Sequence, residues 1–139
     1  MADYVVDASV ILKWVLGDRE EPDQGPAVGL LTRWAEGKDD LRAPALWEYE
    51  VANFLGRELP DEAEGKMEML RRLEIKSVAL TDTIIKRCFQ WMKTKKVTFY
   101  DASYLAVAVE TGAVLVTADE KFAKKMGKGE PLAALKDLT

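Results

Sequence analysis

The chain has 139 residues, the size of one ordinary domain, and its 48% apolar and 32% charged content is a globular balance that excludes a disordered or fibrous polypeptide. Its formal net charge of −4 argues against a uniformly basic, generic polyanion-binding surface, although a cluster of acids loaded with divalent cation would reverse its sign locally. With no histidine and one cysteine it cannot build a Ser-His-Asp triad, a Cys-His pair, an internal disulfide or a His- or thiolate-ligated zinc site, so any metal must be held by oxygen.

Tyr4, Val5 and Val6 form an apolar, β-branched run that predicts a buried strand, and Val10, Ile11, Trp14 and Val15 follow at helical spacing. Asp7 therefore stands at a strand-to-helix junction. Such junctions take helix caps, and in open α/β sheets they are also where chemistry is placed, outside the carboxyl ends of the strands. Residues 17–25, GDREEPDQG, read as an exposed acidic loop. A helix over 26–36 is expected to bury Val28, Leu31, Trp34 and Ala35 and to stop at Gly37. LRAPAL predicts a strand ending at Pro44, and helical spacing runs from Leu46 to Glu58, ahead of Pro60. A short helix over 61–73 carries acids in its first turn and Met67, Leu70 and Leu73 on its apolar side, with Gly65 weakening it.

IKSVAL alternates into a third strand, after which Thr81 and Asp82 open a helix whose apolar arc is Ile84, Ile85, Cys88, Phe89 and Met92 and which runs out in KTKK at 93–96. From Phe99 to Thr111 the sequence is apolar nearly all round, which predicts a buried helix stopped by Gly112. AVLVTAD then reads as strand and turn, EKFAKKM as a helix closed by Gly127, and PLAAL as either a fifth strand or a last helical turn. Strands alternating with helices predict a single α/β domain over 1–139, a sandwich around a mainly parallel sheet. No stretch is long and apolar enough to cross a bilayer and MADYVVDAS lacks the basic start of a signal peptide, so no membrane association and a cytoplasmic location are expected. Cys88 and the four tryptophans, Trp14, Trp34, Trp47 and Trp91, are expected in the core.

Four acids stand out. Glu50 falls between Leu46 and Phe54 on the apolar arc that continues through Trp47 and Val51, where an ionised carboxylate needs a cation, a hydrogen-bond network or a raised pKa. The plainest alternative is an ion pair with Arg42 or Arg57. Asp101 opens the buried helix at capping-box spacing from Thr98, and Asp119 follows a strand beside a second such match, Thr117 to Glu120. Each acid taken alone passes as a cap. Taken together, Asp7 and Asp119 each follow a strand, Asp101 starts the helix before the second of these strands, and Glu50 projects from a helix after another. Four acids from distant segments are thus expected at one crevice, and because clustered carboxylates repel, a cation is the economical way to neutralise them.

The segments VVDASVILKW, PALWEYEVANFL and TFYDASYLAVAVETGAVLVTADEKF resemble, in order and over residues 4 to about 126, the PIN domains, and among them the VapC-type ribonuclease toxins of prokaryotic toxin-antitoxin systems. The resemblance implies a three-layer α/β/α sandwich with a central four- to five-stranded sheet. It implies a Mg²⁺- or Mn²⁺-dependent endoribonuclease in which Asp7, Glu50, Asp101 and Asp119 are the catalytic, metal-binding acids. A cognate VapB-type antitoxin and a homodimer are the partners it implies, with RNA as substrate. Ser9, Asn53 and Thr117 are candidates for supporting an acid, a water or a phosphate, and KTKK for gripping the RNA backbone or for stabilising its own helix end. A haloacid dehalogenase-like phosphatase would need a second acid where Ser9 stands, and a flap-endonuclease relative would need an arch for which no segment is long enough. A non-catalytic module that holds metal or a basic peptide in the same crevice is the alternative from another class.

Overall fold

The computed structural model describes residues 2–17 and 22–138. Five strands, β1 (Ala2–Val6), β2 (Asp39–Pro44), β3 (Lys76–Val78), β4 (Val114–Thr117) and β5 (Leu132–Ala134), form one sheet in the order β3-β2-β1-β4-β5. Every pairing is parallel. Seven helices join them among the described residues: α1 (Ala8–Val15), α2 (Gln24–Ala35), α3 (Trp47–Glu58), α4 (Ala63–Arg71), α5 (Asp82–Lys95), α6 (Phe99–Thr111) and α7 (Glu120–Met126).

The strand order fixes the layers. From β1 the chain steps outward through β2 to β3, then returns past β1 to β4 and β5, so the direction of winding reverses between β1 and β4. Right-handed crossovers then put α1 to α4 on one face and α5 to α7 on the other. The contacts agree: α1 and α2 pack together, against β4 and β2 respectively, while α6 lies across β1, β2 and β4 with α5 outside it. Both faces are covered, and Val5, Val6, Leu41, Leu115 and Val116 are fully buried at the centre.

Helix α6 is the central beam of the second face. Ala102 through Ala108 are all buried, as its apolar circumference predicts, and it ends where Gly112 adopts φ +70 and the amide of Ala113 closes back on the Ala108 carbonyl at 2.9 Å. Strand β4 begins two residues later, so the opposite end of α6, with Asp101, lies at the carboxyl edge of the sheet. Helices α5 and α6 run antiparallel, since Thr81 at the start of α5 donates to the Glu110 carboxylate near the end of α6 at 2.8 Å.

Several sequence expectations are corrected. Helix α2 buries Ala27 and Leu30, while Val28 and Ala35 are exposed. Its apolar residues are spread widely enough to support two overlapping stripes, and the bond from Trp14 Nε1 to the Ala27 carbonyl at 2.8 Å belongs to the stripe that faces α1. In α5, Phe89 and Met92 are exposed and Trp91 is buried with Ile84 and Cys88; Phe89 packs edge-on against Phe99 across the hairpin. Of the tryptophans, Trp47 and Trp91 are buried and Trp14 and Trp34 are partly buried against the core. PLAAL supplies both expected forms, strand β5 followed by a 3₁₀ turn at Leu135–Asp137. Of the loop expected at 17–25, residues 18–21 lie outside the described residues and Gln24 already belongs to α2.

Candidate active site

Asp7, Glu50, Asp101 and Asp119 all line one crevice of about 100 Å³ at the carboxyl edge of β1 and β4, together with Ala8, Ser9, Tyr104, Leu115 and Phe122. It sits where the strand order reverses, the place at which open α/β sheets leave a gap between outgoing chains. Each acid reaches it from a helix start. Asp7 caps α1, accepting from the Val10 amide at 3.2 Å, and Asp119 caps α7, accepting from the Phe122 amide at 3.0 Å. Glu50 is in the first turn of α3, and Asp101 in the first turn of α6, where its amide donates to the Thr98 hydroxyl at 3.0 Å. The positive ends of four helix dipoles thus surround the acids and partly offset their mutual repulsion.

Strand register explains the packing around Asp7. Val6 is paired with Val116, so the next residues, Asp7 and Thr117, emerge side by side and their side chains hydrogen-bond. Ser9 Oγ donates to Asp7 Oδ1 at 2.5 Å and accepts from the Ala118 amide at 3.1 Å, linking the β1-α1 junction to the β4-α7 junction. Thr117, fully buried, also accepts from the Asp119 amide at 3.0 Å. The cap of α7 is therefore Asp119, and the capping box expected from Thr117 to Glu120 does not form.

Glu50 is not paired with either arginine. Arg42 faces Asp40 at 2.7 Å and Asp3 at 3.7 Å, and Arg57 lies beside Glu58. Its partner is Tyr104, whose hydroxyl donates to Glu50 Oε1 at 2.6 Å. Tyr104 is nearly fully buried and was not singled out from the sequence, although its signal is there: it lies three residues after Asp101, on the same helix face, and a phenol on a buried helix needs an acceptor. Asn53 is placed elsewhere, exposed on α3 beside Glu48, Tyr49 and Ala52 and facing a groove shared with Met67 and Arg71 of α4.

Burial raises the pKa of three of the acids. Asp7 is pushed up to about 6 by desolvation, which its hydrogen bonds from Ser9, Thr117 and Val10 offset only in part and which the charge of Asp101 reinforces. Glu50 is raised by desolvation, against the bond from Tyr104 and with a contribution from Asp101, and Asp101 is raised by desolvation and by Asp119. Burial, then the bond and charge of Glu50 with Asp7 and Asp101 behind it, drives the Tyr104 phenol far above its ordinary range, so it stays a proton donor. Cys88 lies apart in the core, its thiol pushed up to about 11 by burial.

This donor set fits a hard divalent cation in kind: four carboxylates and hydroxyl oxygens, with no nitrogen or sulfur ligand. As the side chains stand, no three acids among the described residues converge tightly enough to hold an ion, Glu50 being turned to Tyr104 and Asp7 to Ser9.

Comparison with known proteins bears on this arrangement. The sequence matches the PIN domain family over residues 4–128. It is 32% identical over 132 residues to Ribonuclease VapC3 of Pyrobaculum aerophilum, covering 87% of this chain and 92% of that protein. Among solved structures it resembles PAE2754 from Pyrobaculum aerophilum, with a TM-score of 0.65, 25% identity and coverage of 97% of this chain and 92% of the other. A toxin-antitoxin complex from Klebsiella pneumoniae has the same fold at a TM-score of 0.65 and 12% identity, covering 95% of this chain and 97% of that one. No helix among the described residues is long and apolar enough to cross a membrane. The chain belongs to the PIN domain family, as a relative of the VapC ribonucleases.

Proposed function

We propose that this chain is a Mg²⁺- or Mn²⁺-dependent endoribonuclease that hydrolyses RNA phosphodiester bonds as the toxin of a toxin-antitoxin pair. The observation that carries the reading is the meeting of Asp7, Glu50, Asp101 and Asp119, from four separate segments, in one crevice at the switch point of the sheet. PIN-domain ribonucleases are generally dependent on divalent metal. Here the four acids are the residues that would hold the ion, which when bound lowers the pKa of a water and stabilises charge on the phosphoryl group in transfer. The remaining residues act on those acids. Ser9 and Thr117 hold the Asp7 carboxylate towards β4, and Tyr104 fixes Glu50 by the hydroxyl bond. The desolvation that raises Asp7, Glu50 and Asp101 belongs to the metal-free crevice, and a bound cation would oppose it and hold these carboxylates ionised.

The same reading makes 1–139 one domain working in the cytoplasm, inhibited by a cognate antitoxin and paired with a second copy of itself. Ribonuclease VapC3 and the toxin-antitoxin complex support the substrate class and the partner. The test is cleavage of a labelled single-stranded RNA by purified protein in Mg²⁺ or Mn²⁺. Cleavage should vanish in EDTA and in a folded Asp101→Asn variant; equal cleavage by variant and unsubstituted chain refutes it.

A further inference from the structure

A crevice lined by four carboxylates repels the polyanion it is proposed to cut. A bound cation compensates at the scissile phosphate, but the neighbouring phosphates must find positive charge elsewhere, in a chain whose net charge is −4. The basic residues are unevenly spread. Residues 93–96 and 120–128 together hold seven lysines against one glutamate. The fold brings these two segments together at the flank of the crevice.

Helix α5 ends in Lys93 and Lys95, with Lys96 as its left-handed cap at φ 58. Two residues later Thr98 caps α6, whose first turn carries Asp101. Helix α7 starts at Asp119 in the crevice and, at seven residues, carries its last turn only about 10 Å away. That last turn holds Lys124 and Lys125, and Lys125 Nζ donates to the Lys96 carbonyl at 3.2 Å, joining the two basic helix ends. Lysines at a helix C-terminus favour the dipole, which accounts for each run separately. It does not account for two such runs packed together, where like charges oppose one another. No described carboxylate lies within ion-pair distance of Lys93, Lys95, Lys96, Lys124 or Lys125 to relieve them; Glu120, the one acid on α7, faces Lys136 at 2.6 Å, with Lys124 a weaker neighbour.

Resting on the nuclease reading above, the geometry points to the joined ends of α5 and α7 as the surface that holds the RNA strand by its phosphates, on the Asp101 and Asp119 side of the scissile bond. The contacts are to the backbone, so this surface confers affinity without base selection.

The test combines binding and kinetics. In an Asp101→Asn background, anisotropy of a labelled single-stranded RNA is measured from about 50 to about 200 mM KCl, with Lys96→Gln/Lys125→Gln and with Lys93→Gln added. The salt slope should flatten by roughly 0.7 for each phosphate contact removed, while Lys38→Gln/Lys76→Gln on distant loop and edge-strand positions leaves it unchanged. In the otherwise unsubstituted chain the same lysine changes should raise KM about tenfold and leave kcat within about twofold, as expected for uniform binding. An unchanged slope and KM in a chain that still cleaves RNA overturns the lysine surface and leaves the nuclease reading standing. Polyglutamate competing as well as polyuridylate at equal charge also overturns it, in favour of an acidic polypeptide. Absence of Mg²⁺- or Mn²⁺-dependent cleavage by the unsubstituted chain overturns both.

Discussion

Replacing Asp7 by Asn removes one charge from the crevice while keeping the shape and the capping oxygen, since Asn caps helices about as well as Asp. Burial pushes the Asp7 carboxyl from its ordinary 3.8 up to about 6. Below about pH 4 it is protonated in folded and unfolded chains alike, and its burial carries no charge penalty. As the pH rises from about 4 to about 6 the unfolded chain gives up this proton first, so the fold loses about 1.4 kcal/mol per unit, reaching at most about 3 kcal/mol above pH 7. Desolvation is the main cause, and the substitution removes it. In EDTA at about pH 7.5, Asp7→Asn should therefore melt higher than the unsubstituted chain, by up to roughly 6–12 °C at about 2–4 °C per kcal/mol. The gap should close towards pH 4 and should shrink when Mg²⁺ is added, because the unsubstituted chain binds the ion more tightly and gains more stability from it. Melting followed by circular dichroism across this pH range is the assay. An Asp7→Asn protein no more stable than its parent at pH 7.5 in EDTA, or a gap undiminished at pH 4, refutes the claim that the fold holds this acid against its own desolvation.

Three further outcomes are expected. Tyr104→Phe removes the bond to Glu50 and should cost about 1 kcal/mol of stability in urea unfolding while weakening Mn²⁺ binding in calorimetry; a variant that loses stability but binds Mn²⁺ unchanged would make Tyr104 a packing residue only. Ser9→Ala strands the Ala118 amide as well as freeing Asp7, so a loss of about 1–3 kcal/mol in unfolding together with reduced RNA cleavage is expected. Leu105→Ala, in the fully buried middle of α6, should cost about 2–5 kcal/mol, read by denaturant midpoint.

The architecture was legible in the sequence where periodicity was strong. The run from Phe99 to Thr111 has only one plausible reading, and helix α6 has those bounds. The strand-to-helix junctions at Asp7 and Asp119 were likewise visible, because short β-branched runs give way abruptly to helical spacing there. What periodicity could not choose was rotation. Helix α2 carries apolar residues around much of its circumference, and its packing against α1 and β2 selects Ala27 and Leu30 over Val28 and Ala35. For the same reason Phe89 and Met92 looked like core and are exposed, the buried face of α5 being carried instead by Ile84, Cys88 and Trp91.

In the crevice, the wheel position of Glu50 correctly demanded a partner but could not name one. Tyr104 is 54 residues away in sequence, and only the meeting of the starts of α3 and α6 at the carboxyl edge of the sheet brings them together. Ser9 and Thr117 look like local caps in the sequence; strand register turns them into supports for Asp7. Asn53 shows the limit of spacing arguments, for although it follows Glu50 by about one turn it is exposed and lines the groove with α4 instead of the crevice.

Four acids from four segments lining one crevice are proposed to act as one cation site. The most direct test is Mn²⁺ calorimetry on the unsubstituted chain and on Asp7→Asn, Glu50→Gln, Asp101→Asn and Asp119→Asn, each shown to be folded. Divalent binding by the unsubstituted chain and a loss of affinity of about tenfold or more in every variant are the expected results. Binding left intact by all four substitutions, or no binding by the unsubstituted chain, would contradict the proposal.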